Sequence, residues 1–310
     1  MVDAITANAS SISRNLSEAF LDEAKRKMFN KPYSFLDEMK NKFNLQTDTC
    51  SSCNQSQLQL VADLDVFAKR ALDRWEISTA EEVFRYILHI LSVIPNAPEI
   101  EIIETLACVG SCCEFSGRLE EAMSCYKEAL QLKAHQRLQD EPQRMKLALA
   151  NIFHAIGLIH SKILMEDYTN GRSIRQEVTV TVATKAIRSF SLSLNLRKEC
   201  LGEENLLVAS SQHNIAAILT RTGNVSTALE YYKASLAVRR SVLGKGHPEV
   251  ASSLRHMAMT YRAMGRHQEA ANALTQALAI LKEIPHEGSL AELLIELSHV
   301  KHSLSSSVRI

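Results

Sequence analysis

From Leu201 to Arg239 the chain reads "LGEENLLVASSQHNIAAILTRTGNVSTALEYYKASLAVR", and from Leu243 to Leu281 it reads "LGKGHPEVASSLRHMAMTYRAMGRHQEAANALTQALAIL". Gly202 and Gly244, Ala209 and Ala251, Gly223 and Gly265, and Ala228 and Ala270 each stand 42 residues apart. A unit repeated at such a period is one supersecondary piece, which must stack on its neighbours to bury its apolar face. In the later copy Leu254, Met257, Ala258 and Tyr261 fall at i, i+3, i+4 and i+7, one face of a helix. Gly265 breaks that pattern, and Ala270, Leu274, Ala277, Leu278 and Leu281 rebuild it on a second helix. The spacing therefore predicts two antiparallel helices of about four turns joined by a tight turn.

The same template recurs. Ile215, Ala216, Leu219, Gly223, Ala228, Tyr232, Ser235 and Leu236 make one copy, and Leu106, Val109, Gly110, Cys113, Gly117, Ala122, Tyr126, Ala129 and Leu130 make an earlier one. Between them lies a split copy with Phe153, Ile156, Gly157 and His160 on its first helix and Ala186, Phe190, Ser193 and Leu194 on its second. Leu164 stands where its turn glycine belongs, and a 17-residue insertion, roughly Glu166 to Thr181, is expected to form a surface excursion open to proteolysis near Asn170–Arg172. A degenerate copy starts near Val61, with Leu64, Phe67, Ala68, Ala80 and Phe84.

These residues resemble the tetratricopeptide repeat, and the 42-residue spacing with Leu243, Gly244, His247, Pro248, Val250 and Ala251 is similar to the longer kinesin-light-chain-type subgroup. The resemblance implies an all-α fold, a right-handed superhelical solenoid of antiparallel helix hairpins. Residues 56–288 would hold the array with its insertion near 166–181, and 289–310 a C-terminal capping helix and tail. Residues 1–55 read as a helical and polar segment with a linker, "NLQTDTCSSCNQSQ", and show no sustained heptads of the kind that pair a light chain with its motor.

Composition narrows the function classes. Thirty-five basic and 35 acidic residues cancel, which argues against bulk-charge attraction to nucleic acid or a membrane surface. The most apolar run, "YILHILSVIP", is about half the length that a membrane helix needs. Seven cysteines without a secretory signal read as reduced thiols in a cytoplasmic protein. Cys50 and Cys53 form a CxxC with no partner pair at zinc-site spacing, and Cys108, Cys112, Cys113 and Cys125 fall on repeat positions where cysteine packs as a small apolar residue. His154, His213 and His256 recur one per first helix, and stacked helices about 8–10 Å apart keep such rings from meeting at one metal. No P-loop, GxGxxG, HExxH or GxSxG occurs, so neither catalytic residues nor a cofactor are expected.

A binding surface remains. The resemblance implies that first helices line a concave groove, which places Asn151, His154 and Lys162, then His213, Asn214 and Arg221, then Arg255, His256 and Arg262 as groove-facing positions. None of these is acidic; upstream the sign changes, with Glu104, Glu114, Asp65 and Asp73 against Lys69. The expectation is a non-enzymatic adaptor whose groove holds an acidic protein segment, the histidines adding charge in mild acid. Asn214 sits where family members present an amide to a bound backbone. Two alternatives differ in surface used: a structural subunit of a larger assembly, working through its convex face and termini, or a co-chaperone-like clamp for a C-terminal carboxylate.

Overall fold

The computed structural model describes residues 51–133, 142–169, 176–282 and 287–307. Every regular element among them is a helix. The chain divides into two compact units, Met1–Gln136 and Arg137–Ile310. The helical part of the N-terminal segment, residues 1–50 with the thiol of Cys50, and the Asn170–Arg172 cleavage site lie outside the described residues.

The first unit holds α1 (Ser51–Asp73), α2 (Ile77–Val93), α3 (Glu99–Phe115) and α4 (Leu119–Gln131), each packed on the next in sequence. The α1 helix begins inside the stretch whose composition reads as linker. No glycine or proline interrupts Ser51–Asp73, so nothing stops the helix from running through it. Leu64, Ala68, Ala80 and Phe84 are buried, so the degenerate first copy is a true hairpin.

The turns repeat to atomic detail. At the α3–α4 turn Gly117 takes φ 77°, and the Arg118 N–H donates to Cys113 O at 2.8 Å. Gly223 and Gly265 do the same, with Asn224 donating to Leu219 O and Arg266 to Tyr261 O. This is the 6→1 bond that closes a helix through a left-handed residue. At the α1–α2 turn that left-handed residue is Trp75, φ 62°, and Glu76 N–H reaches Ala71 O at 3.0 Å. A bulky L-residue there costs roughly 1–2 kcal/mol that glycine avoids. Trp75 is 76% exposed, with its ring edge-on to Phe115 at 6.0 Å between centroids.

The second unit holds α5 (Gln143–Thr169), α6 (Gln176–Leu201), α7 (Leu206–Arg221), α8 (Val225–Leu243), α9 (Pro248–Ala263), α10 (His267–Lys282) and α11 (Glu287–Ser307). Consecutive helices pack together, and α7 also touches α9. The split copy differs from the expected excursion. With Leu164 buried in the helix where a turn glycine would end it, α5 runs on to Thr169 and α6 starts at Gln176, so most of the extra residues lengthen the two helices.

In two hairpins a ring on the second helix lies against a glycine on the first. A Cβ added at Gly157 would stand 2.7 Å from the Phe190 ring, and one at Gly110 would stand 2.6 Å from Tyr126. Phe190 and Tyr232 are almost wholly buried, and each such side chain contributes roughly 1.5–3 kcal/mol of burial. By length and composition the Gln143–Met165 stretch of α5 could cross a membrane, but here Leu149, Ala150, Ile152 and Ile159 are buried in protein.

Caps set the register of the first helices. Asn205 accepts from the Leu207 N–H at 2.8 Å before α7, and His247 Nδ1 accepts from Glu249 N–H at 3.2 Å before α9, where Pro248 occupies the first turn. At the other end, α11 packs on α10 and buries Leu293, Leu297 and Val300, the capping position the repeats call for, while Leu294 and Ile295 stay exposed.

Candidate functional site: the first-helix face of the second unit

The first helices α5, α7 and α9 are joined side chain to side chain. At the α5–α7 step, Arg197 reaches across from α6. It donates to Asn151 Oδ1 at 3.0 Å, to His154 Nδ1 at 3.1 Å, to Leu207 O at 3.0 Å and to Ser211 Oγ at 2.9 Å. One guanidinium thus ties both helices of a hairpin to the first helix of the next. Forty-two residues later Arg239 repeats the pattern from α8, donating to His213 Nδ1 at 3.2 Å and to Ser253 Oγ at 2.6 Å. The brace was visible in the spacing of Arg197 and Arg239 and of Ser211 and Ser253, a polar repeat that the apolar template passes over.

Proton logic follows. A guanidinium only donates, so each histidine Nδ1 accepts and the ring proton sits on Nε2. His154 Nε2 lies 3.2 Å from the Asn214 carboxamide. The Asn214 amide nitrogen stands at that position, and turning the carboxamide over lets its oxygen accept from the ring N–H. His213 packs edge-on against Tyr232 at 5.1 Å and against His256 at 4.8 Å, and His256 stacks on Tyr232 at 6.0 Å. Two histidine rings do meet across the α7–α9 step, closer than helix spacing alone suggests, because long side chains lean into the gap. No group of three or more metal-ligating side chains forms among the described residues.

Burial pushes the imidazoles of His154 and His213 down to about 3, helped by Arg197 at the first and by His256 and Arg239 at the second. Burial lowers His256 as well, then Arg255 and Arg239. His154 and His213 are thus neutral in mild acid, contrary to the expected added charge. Arg255 also departs from expectation. It grips Glu296 of α11 through Nε and a terminal nitrogen at 3.0 and 2.7 Å, with Glu292 at 2.9 Å, so it anchors the capping helix instead of offering a free cation. Arg221, Arg262 and Lys162 are exposed, and Arg221 lies near enough to His256 to disfavour its protonation. Of the nine groove candidates, then, Asn151, His154 and Asn214 form one linked set and His213 and His256 another. Arg255 belongs to the cap, and Arg221, Arg262 and Lys162 supply exposed charge.

In the first unit Asp65 pairs with Lys69 at 2.6 Å, and Glu81 accepts from Arg85 at 2.9 Å and from Arg118. The thiols there are poor nucleophiles: burial pushes Cys108 up to about 11 and Cys112 to about 12, so both stay protonated.

The tetratricopeptide repeat family model matches residues 183–239 and 207–283, and a second tetratricopeptide repeat model matches 109–136. No curated protein sequence matches the chain. Among solved structures, BtubC (BKLC) from P. vanneervenii is similar at 19% identity, covering 79% of this chain and 84% of its own, with a TM-score of 0.54. Nearly identical TPR-like repeats of a Podosopora anserina protein assigned as a kinesin light chain are also similar. They share 19% identity over 73% of this chain and 97% of theirs, TM-score 0.51. The Rap conjugation gene regulator of the plasmid pLS20, solved with a Phr peptide, matches at 13% identity over 94% and 82%, TM-score 0.50.

Proposed function

From a chain that carries tetratricopeptide repeats of the kinesin-light-chain-like type, we propose that the protein is a non-enzymatic adaptor whose second unit holds an acidic segment of a protein partner across α5, α7 and α9. One observation carries this reading. Along α5, α7 and α9 the exposed cations Lys162, Arg221 and Arg262 stand on the same face as the Asn214 carboxamide, and the carboxylate that α7 and α9 carry, Glu249, is already held by Arg239. Guanidinium groups suit carboxylates because their planar fork can donate two parallel hydrogen bonds. The Asn214 NH2 suits a backbone carbonyl. The Rap regulator of similar fold that was solved with a peptide adds support by analogy.

The assembly-subunit alternative is favoured by exposed apolar residues scattered over the second helices. Among those of the second unit, Val180 and Val242 are the exposed large hydrophobics, and they belong to different hairpins.

The test is a charge reversal away from the cap. Arg221→Glu with Arg262→Glu should weaken binding of a fluorescein-labelled Glu-rich peptide by about tenfold or more, read by polarisation, and flatten its salt dependence. Helicity and melting temperature should hold, since both side chains are exposed. A double variant that binds like the parent would refute the proposal.

A further inference from the structure

Three guanidinium braces bolt successive helices of the second unit together, and two of them have a carboxylate. Arg239 meets Glu249 Oε2 at 3.3 Å from its Nε, and Arg255 holds Glu296 and Glu292. Arg197 is different. It is 3% exposed, its four partners are all neutral, and no carboxylate lies within ion-pair reach among the described residues. Its Nε is buried with no hydrogen-bond partner, as is that of Arg239, but only Arg239 has a carboxylate, Glu249, at ion-pair distance from it. A buried charge in this state is expensive, because no opposite charge offsets the loss of its hydration.

The repeat itself shows where the missing anion belongs. Glu249 is the second residue of α9; 42 residues earlier the second residue of α7 is Leu207, a large apolar side chain left 44% exposed. The Glu249 side chain is itself half-exposed, yet it reaches the Nε of an arginine that is only 8% exposed. A carboxylate can therefore approach this kind of brace from solvent, along the N-terminal end of a first helix. Around the Arg197 guanidinium stand Asn151 and the Leu207 carbonyl, and Leu207 belongs to the first turn of α7, where the helix dipole also favours an anion.

We infer that the Nε side of Arg197, between Asn151 and Leu207, is a subsite for one carboxylate group of the partner, which supplies the counterion that Glu249 supplies in the following repeat. The inference rests on the reading of the α5–α7–α9 face as an acidic-segment site and fixes where one acidic side chain sits. Leu207 gives the stem of that side chain an apolar surface to lie on.

Restoring the internal anion tests it. In the full chain, Leu207→Glu is compared with Leu207→Gln, which has the same shape without the charge. The Glu variant should melt about 2–4 °C above the Gln variant, as the buried guanidinium gains a partner. It should also bind the fluorescein-labelled Glu-rich peptide about tenfold more weakly than the Gln variant does. Equal affinity of the two variants, while Arg221→Glu with Arg262→Glu still weakens the peptide, would overturn the subsite and leave the wider reading standing. Weaker binding with no rise in melting temperature would mean that the new carboxylate repels the peptide without reaching Arg197, and would overturn it equally. If neither the reversal nor the Glu variant affects the peptide, both ideas fall.

Discussion

Burial and nearby positive charge keep the imidazoles of His154 and His213 neutral across the range in which a free histidine titrates, since both are held down at about 3. In the unfolded chain the same rings protonate near 6.5. Between those values the unfolded state binds more protons than the folded one, so stability rises with pH across this window and levels off above it. Unfolding free energy measured by urea at pH 4, 5, 6 and 7 should increase along that series and then flatten. Proton NMR should show the two rings unmoved between pH 7 and 5; ordinary titration near 6.5 would contradict the burial described. Sequence periodicity found these histidines and placed them one per first helix. It could not find their role, because the partner that fixes their protonation, Arg197 or Arg239, sits on a different helix where an apolar template expects only a surface residue.

Elements carry the same lesson with a different outcome. Hairpin boundaries were legible wherever a glycine could take a left-handed φ, as at Gly117, Gly223 and Gly265. They were not where that signal was missing: Leu164 let α5 run on, and Trp75 made a glycine-type turn without a glycine. The capping helix was legible from its pattern, but its attachment was not. Arg255 reads as groove-facing on its own helix, and only the fold brings Glu292 and Glu296 of α11 against it. The two-pronged bond to Glu296 is partly buried, so Glu296→Gln should cost about 1 kcal/mol, expressed mainly as earlier release of α11. Hydrogen exchange should show faster amide exchange in α11 and little change in α7 and α8. Uniform loss of protection through the unit would mean that the helix is not a separable cap.

At the scale of the whole molecule, each compact unit has its own core, one around Phe84, Ile103 and Tyr126 and the other around Phe190, Tyr232 and Leu274. Trp75, the chain's single tryptophan, belongs to the first. Its indole already stands in solvent in the folded state, with three-quarters of its surface free. The native protein should therefore emit at the long wavelengths of an indole in water, be quenched readily by iodide, and shift little in guanidinium. A melt followed by intrinsic fluorescence would look featureless while circular dichroism records the loss of helix. A large blue-shifted native emission would instead mean that something covers Trp75 in solution. To give the second unit a voice, an indole would have to be installed there, and Tyr232→Trp would place the reporter beside His213 and His256, in the wall of the face that the partner is proposed to occupy.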